Sequence, residues 1–394
     1  MFSQRTNWNL EENAYTRALH RHREAGKRVL DLTASNPTTC GFHYDEAAIL
    51  DALRDPAALR YEPEPKGTAE GRAAVARYYA EKGASGIDPE NLILTTGTSE
   101  AYSFLFRLLC EPGDEVLIAH PSYPLFDFLA TIQDVKLRAF QFVYDHGWQI
   151  DFHSLRQALG ARTRAIVVIH PNNPTGHFAG AAEAEELTAI CAKHDLALIV
   201  DEVFLDYELK AASARKRRHG TFASNAAALT FVLSGLSKIA ALPQMKLAWI
   251  AASGPAAVVR ESIARLEVIA DTYLSLNTPL QRALPALLGE REGMQRQIRE
   301  RTERNLEELD AQLARQKSVS RLEVEGGWYA VLRVPAVQSD EELAIRLLEE
   351  RGVLAHPGHF YDFAEQGYLV ISLLTPGEEF RAGAGELLAC AAAL

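Results

Sequence analysis

Three apolar runs in this chain each stop abruptly at residues that carry chemistry. Residues 165–169 run into His170-Pro171-Asn172-Asn173-Pro174-Thr175-Gly176. Residues 196–200 end in Asp201-Glu202-Val203-Phe204. Residues 230–233 end in Ser234-Gly235-Leu236-Ser237-Lys238, with another apolar segment over 247–252. Short apolar runs bounded by Gly, Asn, Pro and Ser read as buried strands feeding tight turns. Such strands alternate with helices from about residue 69 to 252, the pattern of an α/β protein with a mainly parallel sheet. Open sheets of this kind take ligands at the carboxyl ends of their strands.

Each residue also has a plainer reading when taken alone. A loop lysine can snorkel to water. Asp201 can cap a helix or lie on the surface, and Asn-Pro and Thr-Gly are ordinary turn chemistry. In the strand-end reading, a partly desolvated Lys238 loses its proton more easily and can form a Schiff base. A buried Asp201 then needs a cation or donor as partner. Gly97-Thr98-Ser99 sits between the run 91–96 and a helix expected over 100–109. That places N–H groups and two hydroxyls at a helix N-terminus, a natural anion site, although simple capping by Thr98 or Ser99 would also explain them.

Taken together and in order, Asn-Pro-Thr-Gly (173–176), Asp-Glu-Val (201–203) and Ser-Lys (237–238) resemble the fold-type I pyridoxal-phosphate enzymes, and within them the class I/II aminotransferases, aspartate aminotransferase-like. The resemblance extends from Leu32-Thr33-Ala34-Ser35-Asn36-Pro37 to Tyr368-Leu369-Val370-Ile371-Ser372 and includes Pro112-Gly113-Asp114-Glu115-Val116 and Pro121-Ser122-Tyr123-Pro124. It implies a large domain with a mainly parallel central sheet flanked by helices, over 46–285. A smaller α+β domain would be built from both ends of the chain: 1–45 as arm and part of that domain, and 286–394 with a long linking helix over 290–316. It implies pyridoxal 5'-phosphate as cofactor. Lys238 would be the Schiff-base lysine and proton carrier, Asp201 the partner of the pyridinium nitrogen, Asn173 the donor to the ring oxygen and Tyr123 the ring-stacking aromatic. Gly97, Thr98, Ser99, Ser237 and Lys246 would hold the phosphate. Tyr61 resembles the tyrosine that reaches the phosphate of a neighbouring subunit, which implies a homodimer with shared active sites.

The departures bear on substrate. Val370 stands where the family has an arginine for the substrate carboxylate, and valine cannot bind one. Lys246 replaces an arginine, Phe204 a tyrosine that donates to the ring oxygen, and Ser35 a glycine; Gly235 takes a position often held by serine. The loop from Tyr61 to Gly67 is one residue longer than the usual pattern. His356 and His359 match a loop that lines the substrate channel in relatives, so they are candidates for the lost carboxylate contact, or plain solvent-facing histidines.

The resemblance implies a ping-pong aminotransferase taking nitrogen from an amino acid or amine and giving it to a keto acid or other carbonyl acceptor. A lyase, decarboxylase or racemase on the same scaffold is the alternative, and a cofactor-binding protein without turnover the third reading. A net charge of −11 argues against nucleic acid as partner. The basic cluster Arg215-Lys216-Arg217-Arg218-His219 reads as a solvated loop. Cys40, Cys110, Cys191 and Cys390 lack metal-ligand spacing and point to free thiols in a reducing compartment. With neither a signal-peptide pattern nor a membrane-length apolar run, the expected location is the cytoplasm. Further helices are expected over 46–53, 181–194 and 341–351, and a hairpin bordering the site over 322–332.

Overall fold

A computed structural model of the chain describes residues 1–123, 126–210 and 218–394. In chain order its strands are β1 (Leu30–Asp31), β2 (Leu92–Thr95), β3 (Glu115–His120), β4 (Lys136–Tyr144), β5 (Trp148–Ile150), β6 (Thr163–Ile169), β7 (Ala197–Asp201), β8 (Thr230–Gly235), β9 (Ala248–Ser253), β10 (Ser320–Arg321), β11 (Tyr329–Arg333), β12 (Val353–Leu354), β13 (His356–Pro357) and β14 (Tyr368–Ser372). The eight strands β2 to β9 form one sheet in the order β2-β9-β8-β7-β6-β3-β4-β5. The pairs β4–β3, β3–β6, β6–β7 and β7–β8 are parallel. Strand β9 is antiparallel to both β8 and β2, so β2 points the same way as β8.

This topology explains why distant motifs meet. The carboxyl ends of β2, β3, β6, β7 and β8 lie along one edge, and they lead into Gly97, Tyr123, Asn173, Asp201 and Lys238 respectively. The sheet is apolar on both faces, as a helix-covered parallel sheet must be. On β6, Ile166 and Val168 enter one core while Ala165, Val167 and Ile169 enter another. A separate core lies under the smaller sheet β10-β11-β14-β13 and includes Leu332, Leu347, Ile371 and Phe380. There β1, from the N-terminal part of the chain, pairs in parallel with β12, from its C-terminal part.

The helix expected over 181–194 is Ala181–His194, and those expected over 46–53, 290–316 and 341–351 are Glu46–Ala52, Arg291–Leu313 and Asp340–Arg351. The hairpin expected over 322–332 differs. Its paired strands are β10 and β11, joined at Ser320 to Arg333 and Arg321 to Leu332. The intervening segment leaves the ladder because its backbone bonds elsewhere: Glu325 N–H donates to the Gly176 carbonyl, and its carbonyl accepts from Leu209 N–H. Of the basic cluster, Arg215, Lys216 and Arg217 lie outside the described residues. Arg218 is not a solvated loop residue: its side chain is paired with Glu208 and lies 5.2 Å over the Phe178 ring. No helix among the described residues is long and apolar enough to cross a membrane.

Candidate active site

A cavity of about 300 Å³ opens at the shared strand edge. Its wall contains Gly97, Thr98, Ser99, Tyr123, Asn173, Asp201, Phe204, Ser237, Lys238 and Lys246, all but one of the residues expected around the cofactor. The exception is Tyr61, which is 76% exposed and outside this chain's own cavity. Its loop closes at Gly67, where φ is +86° and an added Cβ would lie 2.7 Å from the Leu94 side chain, so glycine is required.

Lys238 lies on a single helical turn, Leu236–Ile239, directly after β8. Its carbonyl accepts from the Tyr207 hydroxyl at 2.6 Å. Its Nζ lies 5.0 Å from the Trp328 ring centre and 5.7 Å from that of Phe204, and those two rings meet edge to face. Burial in this recess pulls the amine's pKa down, with Asp201 opposing. A lowered pKa supplies the uncharged amine that a nucleophilic lysine needs.

Asp201 ends β7 and is 7% exposed. Its Oδ1 accepts from Val203 N–H at 3.1 Å and its Oδ2 from the Tyr102 hydroxyl at 3.2 Å. Burial pushes the carboxyl up to about 6; these two donors and Lys238 hold it from going further. The adjacent Glu202 takes no part in the cavity wall. Thr221 Oγ1 and Phe222 N–H each donate to it at 2.7 Å, and burial pushes it up to about 8.

Asn173 is buried and its Oδ1 has no partner. Its loop is held by Asn172, which donates to the Pro121 carbonyl at 3.2 Å and to Thr175 Oγ1 at 2.9 Å. At the other end of the cavity, the helix Thr98–Leu109 begins after Gly97 with no side-chain cap. Thr98 and Ser99 are therefore in its first turn, not capping it, and the helix starts two residues earlier than expected. Its first N–H groups have no side-chain cap, the kind of helix end that suits an anion. A Cβ on Gly97 would stand 3.8 Å from Lys246 Nζ, so the amine and the helix end face the same space.

Val370 is completely buried in β14, in the core that also holds Trp328, Tyr329 and Tyr361. His356 and His359 do not line the cavity. His356 Nδ1 is 3.1 Å from the Tyr361 hydroxyl and His359 is exposed. The sequence reading missed Tyr102 and Tyr207. Tyr102 was detectable as the residue four after Thr98, hence on the same helix face. No local signal marks Tyr207, because its partner is 31 residues away.

The Aminotransferase class I and II family model matches residues 9–382. A glutamate-pyruvate aminotransferase (AlaA) of Haemophilus influenzae is 29% identical over 266 residues, a match spanning 68% of this chain and 65% of that protein, just under two thirds of its length. An alanine aminotransferase of Mycobacterium bovis is 28% identical over 354 residues, 87% of this chain and 81% of that one. Among solved structures, an alanine aminotransferase from Pyrococcus furiosus superposes with a TM-score of 0.86 at 24% identity, covering 98% of both chains, which establishes likeness of fold. The match across nearly the whole length shows that this chain belongs to the class I and II aminotransferases, a pyridoxal-phosphate family.

Proposed function

We propose that this chain is a pyridoxal-phosphate-dependent aminotransferase. It would move an amino group from an amino acid or amine donor to a keto acid or other carbonyl acceptor in a ping-pong cycle. The observation that carries the reading is the meeting, in one cavity, of a buried lysine, a buried carboxylate and an amide with an unpartnered oxygen. The residues fit the cofactor. Asp201 is buried with two donors but needs a closer cation, which a protonated ring nitrogen provides. The Asn173 amide, whose oxygen and nitrogen can exchange places, has capacity for the ring oxygen. The open helix end beside Lys246 suits a phosphate.

The cofactor, when bound, supplies an aldehyde and an electron-withdrawing ring. In this reading Lys238 would hold the cofactor's aldehyde through Nζ, and its amine would carry a proton from the substrate's amine-bearing carbon. Asp201 would hold the protonated ring nitrogen, Tyr123 would pack on the ring, and Thr98, Ser99, Ser237 and Lys246 would hold the phosphate. Phe204 bounds the lysine recess. Tyr61, turned away from its own cavity, would serve the partner subunit's phosphate in a homodimer. The proposed division is residues 1–45, 46–285 and 286–394, and the proposed location is the cytoplasm.

The names of the relatives direct the first assay to alanine, glutamate and their keto acids. The test is the visible spectrum of the protein with pyridoxal phosphate. Loss of the visible band on adding one donor, and its return with a carbonyl acceptor, is the expected result. Turnover of a donor that never yields the amine form of the cofactor would replace this reading with a lyase-type reaction.

A further inference from the structure

We propose that the donor's amine-bearing carbon carries a neutral group, a hydroxymethyl or a plain carbon chain, in place of a carboxylate; the proposal rests on the aminotransferase reading above. The cavity's own cations are already placed. Among the described residues its wall holds two, Lys238 and Lys246. Lys238 lies in the recess of Phe204 and Trp328, and Lys246 faces the helix end at Gly97. The two undescribed residues beside Tyr123 are Pro124 and Leu125, both uncharged.

The rest of the wall is hydroxyls and rings: Ser35, Tyr123, Tyr329, Phe126 and Leu129. Burial pushes the Tyr329 phenol up to about 12, so it stays a neutral donor. Behind this wall two basic groups, Arg301 and His356, are engaged. Arg301 donates to the Cys40 and Leu374 carbonyls at 3.2 and 3.1 Å and lies over the Phe42 ring. His356 faces the Tyr361 hydroxyl, and burial lowers its pKa. Val370, paired between β11 and β13, is apolar and fully buried.

A carboxylate seated against this wall would give up its water without gaining a cation from the described residues of its own chain, in a cavity that already contains the Asp201 carboxylate. A hydroxyl gives up far less and finds donors and acceptors in Ser35 and Tyr329. The aromatic and aliphatic wall suits an apolar substituent. In the half-reaction the donor carbon is oxidised by two electrons, losing its amino group and one hydrogen. The cofactor's aldehyde carbon gains both, and its oxygen is exchanged, through water, for the new carbonyl oxygen of the product. An amino alcohol thus leaves as a hydroxyketone with no other reactant consumed.

The test uses the protein loaded with pyridoxal phosphate and follows loss of the visible band with L-phenylalanine, L-phenylalaninol and 2-phenylethylamine, and with L-alanine and L-glutamate. The expected result is conversion by phenylalaninol at least about tenfold faster than by L-phenylalanine, the factor worth one good hydrogen bond. Equal or faster conversion by any of the three amino acids would overturn the proposal while leaving the aminotransferase reading intact. No conversion by any donor, acidic or neutral, would instead overturn the aminotransferase reading. Tyr329→Phe, which keeps the ring, should slow phenylalaninol about tenfold more than it slows 2-phenylethylamine. Equal slowing of both would remove Tyr329 from recognition of the hydroxyl.

Discussion

Asp201 shows how a single residue exchanges stability for a ligand. Its carboxyl is raised from 3.8 to about 6 by burial, so the folded chain holds its proton more tightly than the unfolded chain does. The contribution therefore favours folding at low pH and is lost as pH climbs through about 6. Above that the buried charge costs roughly 3 kcal/mol, an order-of-magnitude figure. Asp201→Asn should raise the melting temperature of the cofactor-free protein at pH 7 and weaken pyridoxal-phosphate binding. Unchanged melting would show that the charge is better solvated than its burial indicates. Phe204 offers a second check beside the lysine. Phe204→Tyr places a hydroxyl at the edge of the recess and should lower the pH at which the visible band titrates by about one unit; an unmoved titration would separate Phe204 from the tuning of Lys238.

At the scale of elements, what could be read in the sequence was what period and punctuation encode. Strands β6, β7 and β8 are buried on both faces and end where Asn, Asp and Gly-Leu-Ser interrupt them. The heart of the cavity could therefore be assembled from the motifs at 173–176, 201–203 and 237–238, which lie far apart in the chain. What could not be read depends on contacts across the fold. Glu325 and Gly327 leave the hairpin for backbone partners at Gly176, Tyr207 and Leu209, and Tyr207 anchors the Lys238 turn from another loop. Tyr207→Phe should cost about 1 kcal/mol of stability in denaturant unfolding, the net worth of one buried hydrogen bond, since the Lys238 carbonyl keeps the Ala241 N–H at 3.1 Å; an unchanged midpoint would mean that the hydroxyl does not anchor the turn. Gly235 also becomes intelligible only in space. A Cβ there would lie 2.7 Å from the Ala248 Cβ and 2.9 Å from the Leu247 carbonyl oxygen, where β8 and β9 approach closely. Gly235→Ser should therefore destabilise by roughly 1–3 kcal/mol through overpacking; an unaffected midpoint would mean that β9 yields without cost.

At the scale of the whole molecule, the sheet directs five strand ends to one edge, while the β1–β12 pair ties the two ends of the chain to the side that bears Val370 and Tyr329. The exposed Tyr61 is the one expected site residue that a single chain does not use. If it completes a partner's site, mixing inactive Tyr61→Ala with inactive Lys238→Ala should recover about a quarter of the wild-type activity, since half of the random dimers then carry one intact site. No recovery would argue for self-contained sites. The central claim, that the cavity is built around Lys238 as the residue that carries the cofactor, has a more direct test. The protein would be incubated with pyridoxal phosphate, reduced with borohydride, digested and mapped by mass spectrometry. The phosphopyridoxyl group is expected on Lys238 in the native protein and nowhere in the cavity in Lys238→Ala. A label on Lys246, or on scattered surface lysines with Lys238 unmodified, would contradict it.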